Sequence, residues 1–107
     1  MFRAKYGYLL EDEDVRRWFD NLAAKSLLTA TVYLRNLGLY CELNGTDPKG
    51  ILRDDGSKAF RDRFADFVRR LEREGKASSY IARFKKVLDD WFALRLRHAA
   101  AHYTLIS

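Results

Sequence analysis

Two short segments of this sequence each combine a lysine with hydroxyl side chains, immediately before a stretch with helical periodicity. They contain Lys25, Ser26 and Thr29 in the first segment and Lys76, Ser78, Ser79 and Tyr80 in the second. Ammonium groups, hydroxyls and the unpaired amides at a helix N-terminus all bind phosphate oxygens. The chemistry that both segments predict is therefore the binding of a polyanion.

Additional cations lie on the helical stretches that follow these segments. Arg35 belongs to the first stretch, whereas Arg83 and Lys86 belong to the second, and few acids interrupt them. Arg69 and Arg73, by contrast, stand among acids, and we expect them to pair with carboxylates three or four positions away on a solvated helix face. The polyanion is therefore expected to contact Arg35, Arg83 and Lys86 but not Arg69 and Arg73.

The charge balance supports this interpretation. The 107 residues contain 20 Lys and Arg against 15 Asp and Glu, a net charge of +5, and the surplus lies entirely from Ile51 onward. Charged residues make up 33% of the chain and apolar residues 48%, which is typical of a soluble globular protein and argues against disorder. A basic surface of this kind fits nucleic acid as a partner.

Other chemistry has weaker support in the sequence. His98 and His102 would share one face of a helix, but two imidazoles without a third ligand do not make a metal site. Ser78 or Ser79 with Asp90 and His98 would contain the residue types of a hydrolase, yet each has a plainer helical role. We therefore expect no metal, no cofactor and no enzymatic activity of this chain alone.

The single cysteine and the hydropathy pattern bear on the cellular compartment. Cys41 is the only cysteine, which excludes an intrachain disulfide and predicts a buried thiol. No apolar run has the length that a bilayer requires, and no apolar signal-peptide segment accompanies Arg3 and Lys5 at the start of the sequence. We therefore expect a cytoplasmic protein.

Four helices account for the hydrophobic periodicity. We predict the first over about residues 13 to 25, the second from a Thr29 cap to about Asn44, the third from Ser57 to Glu74, and the fourth from a Ser78 or Ser79 cap onward. The acidic run at residues 11–14 is expected to cap the first helix rather than to form a metal or acid–base cluster. Residues 45–56 are expected to be mainly connection, with a single helical turn at Asp47-Pro48.

The predicted helices form two similar pairs. Val15, Trp18, Phe19 and Leu22 match Phe64, Phe67, Val68 and Leu71 at an offset of 49, and Thr29, Tyr33, Leu37 and Tyr40 match Tyr80, Phe84, Leu88 and Trp91 at an offset of 51. Two helical hairpins of this kind predict a four-helix domain with its aromatic residues inside. Gly38 interrupts the second helix and indicates a point of close packing.

The residues of these two pairs resemble a known family. They are Ser26 with Thr29, Tyr33 and Leu37 in the first copy, and Ala77 to Ile81 with Phe84, Leu88 and Phe92 in the second. Over residues 12–98 the pattern is similar to the N-terminal core-binding domain of tyrosine recombinases and phage integrases, also called their SAM-like domain. The resemblance implies an all-α, compact bundle of four main helices arranged as two helical hairpins. Residues 1–11 would be an N-terminal arm, and residues 99–107 a tail or the start of a linker to a catalytic domain.

The resemblance also implies a function. In that family the domain binds double-stranded DNA at the core recombination site, together with a C-terminal catalytic domain and other recombinase protomers, during DNA integration and recombination. The positions that it implies for DNA contact are Lys25, Ser26, Thr29, Arg35, Lys76, Ser78, Ser79, Tyr80, Arg83 and Lys86.

The sequence departs from the family in two respects. Tyr80 stands where the family prefers threonine, and the catalytic set is missing, since His98 begins no His-x-x-Arg and Tyr103 lacks the arginines that would stabilise a phosphorane. We therefore expect a chain that binds without cutting, as part of a longer recombinase or as a relative that acts alone. The alternative is a helical protein-interaction module that binds an acidic partner.

Overall fold

The computed structural model describes residues 6–53 and 58–106, with side chains described up to residue 93. These ranges contain a short 3-10 helix, Gly7–Glu11, and five α-helices: α1 Glu13–Ala23, α2 Leu27–Asn44, α3 Pro48–Arg53, α4 Lys58–Arg73 and α5 Ser78–Ile106. No strand occurs within them, so the all-α prediction is confirmed. The predicted start of the third helix at Ser57 lies outside the described residues.

The beginning of α1 follows from the acidic run. Asp12 has extended backbone angles, and its carboxylate accepts hydrogen bonds from the amides of Asp14 and Val15 at 2.9 and 3.1 Å. Glu13 and Asp14 occupy the first turn, where they meet the positive end of the helix dipole. The predicted capping role of this run is therefore confirmed.

Two predicted helix starts were wrong by a few residues. Ser26, not Thr29, caps α2, because its hydroxyl accepts a hydrogen bond from the Thr29 amide at 3.2 Å. At α5 the helix already includes Ser78, and the carbonyl of Ala77 accepts from the amides of Tyr80 and Ile81. Ala77 therefore occupies the N-cap position. Ser78 and Ser79 lie inside the first turn of α5, so neither is the N-cap residue.

The other connections agree with the glycine and proline pattern. Gly45 and Gly75 adopt positive φ angles of 61° and 79°, which end α2 and α4 in the conformation that glycine tolerates best. Asp47 accepts from the Gly50 amide at 2.6 Å and starts α3, which is longer than the single turn predicted there. The helical backbone of α5 also runs through residues 99–106, a segment predicted as a tail.

The core is built around α2, which packs against α1, α3 and α5. Tyr40 of α2 meets the rings of Phe67 and Phe84 at centroid distances of 5.2 and 6.4 Å, and Trp18 of α1 meets Trp91 of α5 edge-on at 5.3 Å. All five side chains are almost completely buried. The prediction that the aromatic residues form the interior is confirmed.

The N-terminal segment packs against this core from residue 6 onward. Tyr6 is 3% exposed, and a Cβ atom built on Gly38 would lie 2.2 Å from its Cγ atom. The hydroxyl of Tyr6 donates a hydrogen bond to the Glu42 carboxylate at 2.5 Å. Within the segment predicted as an arm, Tyr6 is therefore held on α2 and the 3-10 helix packs against α1. The tyrosine ring explains the close packing predicted at Gly38.

Replacing Gly38 by alanine tests this contact. Because the added methyl group would overlap the Tyr6 ring, we expect Gly38→Ala to lower the free energy of unfolding by about 1–3 kcal/mol in urea titrations. Gly7→Ala is the matched control, since no atom lies within 4 Å of its added Cβ. In a Tyr6→Ala background the cost of Gly38→Ala should disappear; a cost that persists would show that another contact excludes the methyl group.

The hydroxyl of Tyr6 predicts a pH dependence of stability at the alkaline end. Its hydrogen bond to the Glu42 carboxylate, with burial as a second cause, raises the pKa of Tyr6 to about 12. The folded state therefore favours the neutral phenol of Tyr6. This contribution to folding stability is complete below about pH 10, the ordinary pKa of tyrosine, and is lost as the pH rises to about 12. Stability measured from pH 9 to 12 should fall less steeply for Tyr6→Phe than for Tyr8→Phe, whose side chain is exposed.

Candidate nucleic-acid interface

The two lysine-and-serine turns lie at opposite ends of α2. Arg70 of α4 donates a hydrogen bond to the carbonyl of Leu43 at 3.4 Å, so the turn from α4 to α5 follows closely at the C-terminal end of α2. Ser26 caps the N-terminal end, and at 1.5 Å per residue the axis from Ser26 to Leu43 is about 25 Å long. The structure therefore does not gather the ten predicted DNA-contacting residues into one compact cluster.

The turn between α1 and α2 holds three of these residues. Lys25 and Thr29 are exposed, whereas the hydroxyl of Ser26 is used as the helix cap. Lys25 lines a cavity of about 380 Å³ that Asp90 of α5 also lines. The α1–α2 turn therefore lies beside the middle of α5, although it is far from the α4–α5 turn.

One flank of α5 carries a continuous set of the predicted residues. Ser79, Arg83 and Lys86 follow one another at intervals of four and three residues, which places them in a row on the helix surface, and all three are exposed. We call these three residues the α5 stripe. Asp90 lies four residues further along the same row and accepts a hydrogen bond from the indole of Trp18 at 2.7 Å. The α5 stripe therefore points from the α4–α5 turn towards α1 and Lys25.

Lys76 and Tyr80 are placed by their contact with each other. The Lys76 ammonium lies 5.5 Å from the centre of the Tyr80 ring, within the range of a cation–π interaction. The same ring meets Phe84 edge-on at 5.4 Å, so Tyr80 is half-buried. Lys76 is thereby held on the stretch of α5 where the stripe begins.

Two predicted residues lie elsewhere. Arg35 follows Tyr33 by two positions and is exposed on the side of α2 opposite to Tyr33 and Tyr40. Ser78 is seven residues before Lys85 and shares its side of α5, away from the stripe. Neither residue is brought together with the α5 stripe.

Ion pairs separate the cations of the molecule into two kinds. Paired cations are Arg17 with Glu13, Lys49 with Asp12 and Asp14, Lys58 with Asp62, Arg69 with Asp66, and Lys85 with Asp89. Within residues 6–53 and 58–93, by contrast, Lys25, Lys76, Arg83 and Lys86 form no ion pair. Their charge is therefore open to an external anion.

Lys49 is paired with two carboxylates, those of Asp12 and Asp14. A hydrogen bond from its ammonium to Asp14 raises the pKa of Lys49, and the charges of Asp12 and Glu13 add to the effect. The pair joins the start of α1 to α3, and Lys49 is accordingly unsuited to bind a phosphate.

A cationic cleft on α4 escaped the sequence prediction. It has a volume of about 350 Å³ between the C-terminal end of α2, α3 and α4, and its lining includes Arg63, Arg70 and Arg73. The expected pairing holds for Arg69, which contacts Asp66 at 2.6 Å, but no ion pair to Arg73 forms within the described residues. The signal in the sequence was the spacing of seven and three residues, which puts the three lining arginines on one side of α4.

The described side chains bear on two other kinds of site, a metal site and a reactive thiol. No three histidine, cysteine, aspartate or glutamate residues in that part of the chain are close enough to hold a metal ion. Cys41 is buried as predicted, and burial raises the pKa of its thiol to about 12, which makes it a poor nucleophile. The side chains of His98 and His102 lie outside those that the structure describes.

No described helix combines the length and the apolar character that crossing a membrane requires.

Comparisons of the chain with protein-family models, with curated proteins and with solved structures found no match.

The hydrogen bond between Trp18 and Asp90 provides a test of the geometry around the α5 stripe. Asp90→Ala would leave a buried indole N–H without its acceptor, and we expect a loss of about 1–3 kcal/mol of unfolding free energy. Asp89→Ala is the neighbouring control, because it removes only an exposed pair with Lys85 and should cost less than about 0.5 kcal/mol. Chemical denaturation with tryptophan fluorescence measures both; equal losses would mean that the indole does not depend on Asp90.

Proposed function

We propose that this protein binds double-stranded DNA through the α5 stripe and the α4–α5 turn. The observation that carries the proposal is that Arg83 and Lys86 are exposed and form no ion pair with any described residue, beside Lys85, which is paired. A row of unpaired cations along a helix, with a serine between Lys76 and Arg83, suits the phosphates of one strand. Such a row also allows Arg83 to reach a base edge in the major groove.

Lys25 extends this surface from the other end of the molecule. It stands beyond Asp90, on the side to which the α5 stripe leads, and its ammonium forms no ion pair within the described residues. The two turns are separated by about 25 Å along α2, which is less than the roughly 34 Å of one turn of B-DNA. Both turns are therefore within the span of one short duplex site.

The role within recombination is the second part of the proposal. The resemblance over residues 12–98 supports a core-site-binding module of a site-specific recombinase or integrase, and the all-α structure is compatible with it. Because the catalytic residues of that family are missing from this chain, cutting would require a catalytic domain supplied with it. The DNA-binding part of the proposal does not depend on this role, since it is argued from the charges on α5.

Docking of an acidic protein segment is the second candidate. Leu27 and Leu28 are 56% and 76% exposed next to Lys25, and adjacent exposed leucines often mark an interaction surface. This candidate places the partner at the α1–α2 turn rather than along α5. Leu28→Glu should then abolish binding of the partner without changing the affinity for DNA.

Salt dependence tests the DNA-binding proposal. If Lys25, Lys76, Arg83 and Lys86 each neutralise a phosphate, the logarithm of the affinity should fall with the logarithm of salt at a slope of about −4. Fluorescence anisotropy of a labelled duplex between about 50 and 200 mM salt measures this slope. Absence of binding at the lowest salt, or binding that does not change with salt, would refute the proposal.

A pair of charge reversals identifies the surface. The double variant Arg83→Glu with Lys86→Glu should reduce the slope to about −2 and weaken binding at least tenfold, because two phosphate contacts are lost. Lys85→Glu is the matched control on the same helix, since that lysine is occupied by Asp89. If the control weakens binding as much as either single reversal in the α5 stripe, the DNA does not lie on that flank.

A further inference from the structure

The cleft between α2, α3 and α4 is the second cationic feature of the molecule, and it differs from the α5 stripe in shape. It encloses about 350 Å³, a volume at the lower end of clefts that hold small ligands. The buried side chains of Tyr40 and Phe67 form part of its lining, and Phe60, which is half-buried, lines it as well. A concave site with an aromatic wall and cationic groups suits a ligand that is both flat and anionic.

Arg70 is positioned over this cleft by two contacts. Its guanidinium lies 5.3 Å from the centre of the Phe67 ring and donates one hydrogen bond to the carbonyl of Leu43. A guanidinium has five N–H donors, so most of them remain for a ligand. Arg73, three residues further along α4, lines the same cleft and is exposed. Two arginines on successive turns of one helix can hold one phosphate in bidentate fashion.

The acid in the cleft does not cancel this charge. Asp66 lines the cleft, but its carboxylate contacts Arg69, which is outside the lining, at 2.6 Å. Arg63 is engaged within the protein, so the argument depends on Arg70 and Arg73 alone. The opposite wall has neutral polar groups, the amide of Asn44 and the hydroxyl of Thr46, which can bond to a sugar or to a base edge.

We propose that this cleft binds a nucleoside monophosphate, with its phosphate on Arg70 and Arg73 and its base against Phe60. A phosphate dianion matches two guanidinium charges better than a single carboxylate does, and the accessible part of the Phe60 ring offers a surface on which a flat base can pack. The volume of this open cleft suits one nucleotide rather than an extended acidic peptide, which would need a longer groove. The nucleotide is either free or the phosphorylated end of a nucleic-acid strand.

Titration of the isotope-labelled protein with adenosine 5′-monophosphate tests this proposal by NMR. We expect a dissociation constant on the order of 10 µM to 1 mM for a ligand of this size, with amide shifts centred on Asn44, Thr46 and Arg73. Adenosine without phosphate and inorganic phosphate should each bind at least tenfold more weakly, because each makes only half of the contacts. No shift at 10 mM nucleotide, or equal binding of inorganic phosphate, would overturn the proposal.

Three variants of α4 locate the site. Arg70→Gln and Arg73→Gln should each weaken nucleotide binding about tenfold, as expected for the loss of a charge-assisted contact. Arg61→Gln is the matched control, because that arginine is exposed on α4 and does not line the cleft, and it should change binding less than twofold. A thermal unfolding curve for each variant excludes loss of fold as the cause. If Arg61→Gln is as damaging as Arg73→Gln, the cleft is not the binding site.

Oligonucleotides distinguish a free nucleotide from the phosphorylated end of a nucleic-acid strand as the natural ligand. A short single strand with a 5′-phosphate should compete with the mononucleotide if strand ends enter the cleft, and the same strand with a 5′-hydroxyl should not. Competition by neither strand, with the mononucleotide still bound, identifies a free nucleotide as the ligand. The inference does not rest on duplex binding, which responds to Arg83 and Lys86 rather than to Arg70 and Arg73.

Discussion

The packing of Tyr40 against Phe67 and Phe84 determines the direction in which α4 and α5 run along α2. Since Phe67 contacts Tyr40, and Arg70 one turn later reaches the carbonyl of Leu43, α4 meets α2 at the C-terminal end of α2. The chain must therefore turn into α5 at that end and return along α2 in the opposite sense. One buried tyrosine thereby places the two lysine-and-serine turns about 25 Å apart, at the two ends of an 18-residue helix.

A second buried contact decides which flank of α5 is cationic. Asp90 is the only acid in the row that begins with Ser79, and the indole of Trp18 donates to it from the core side. Its carboxylate is thereby turned towards α1, and Lys86, one turn earlier, forms no ion pair within the described residues. On the other side of α5, Asp89 neutralises Lys85 at 2.8 Å. Lys85 and Lys86 are adjacent, yet only Lys85 is paired with an aspartate. The difference arises because Asp90 is hydrogen-bonded to Trp18, whereas Asp89 is free to pair with Lys85.

The cleft on α4 shows a similar division among arginines that are close in sequence. Arg69 pairs with Asp66 on the solvent side, whereas Arg70 lies over the Phe67 ring and reaches across to α2. Local spacing of charges predicts the first arrangement, since both partners are on one helix. Local spacing does not predict the contacts of Arg70, because the carbonyl of Leu43 and the side chain of Tyr40 belong to a helix that is distant in sequence.

Much of the fold follows from local physical chemistry. The periodic positions of Trp18, Phe84 and Trp91 specify buried helix faces, the carboxylate of Asp12 starts α1, and Gly45 and Gly75 end their helices, because each of these effects involves residues within about one helical turn. The predicted starts of α2 and α5 were each late by one to three residues, since a serine or threonine near a helix start can lie either at the cap or inside the first turn. Only the tertiary structure decided that Tyr6 fills the space above Gly38, that the two turns lie far apart, and that Arg70 and Arg73 border a cleft. These features depend on the relative direction of helices, which is set by the simultaneous packing of aromatic rings from several segments and leaves no periodic signal in any one of them.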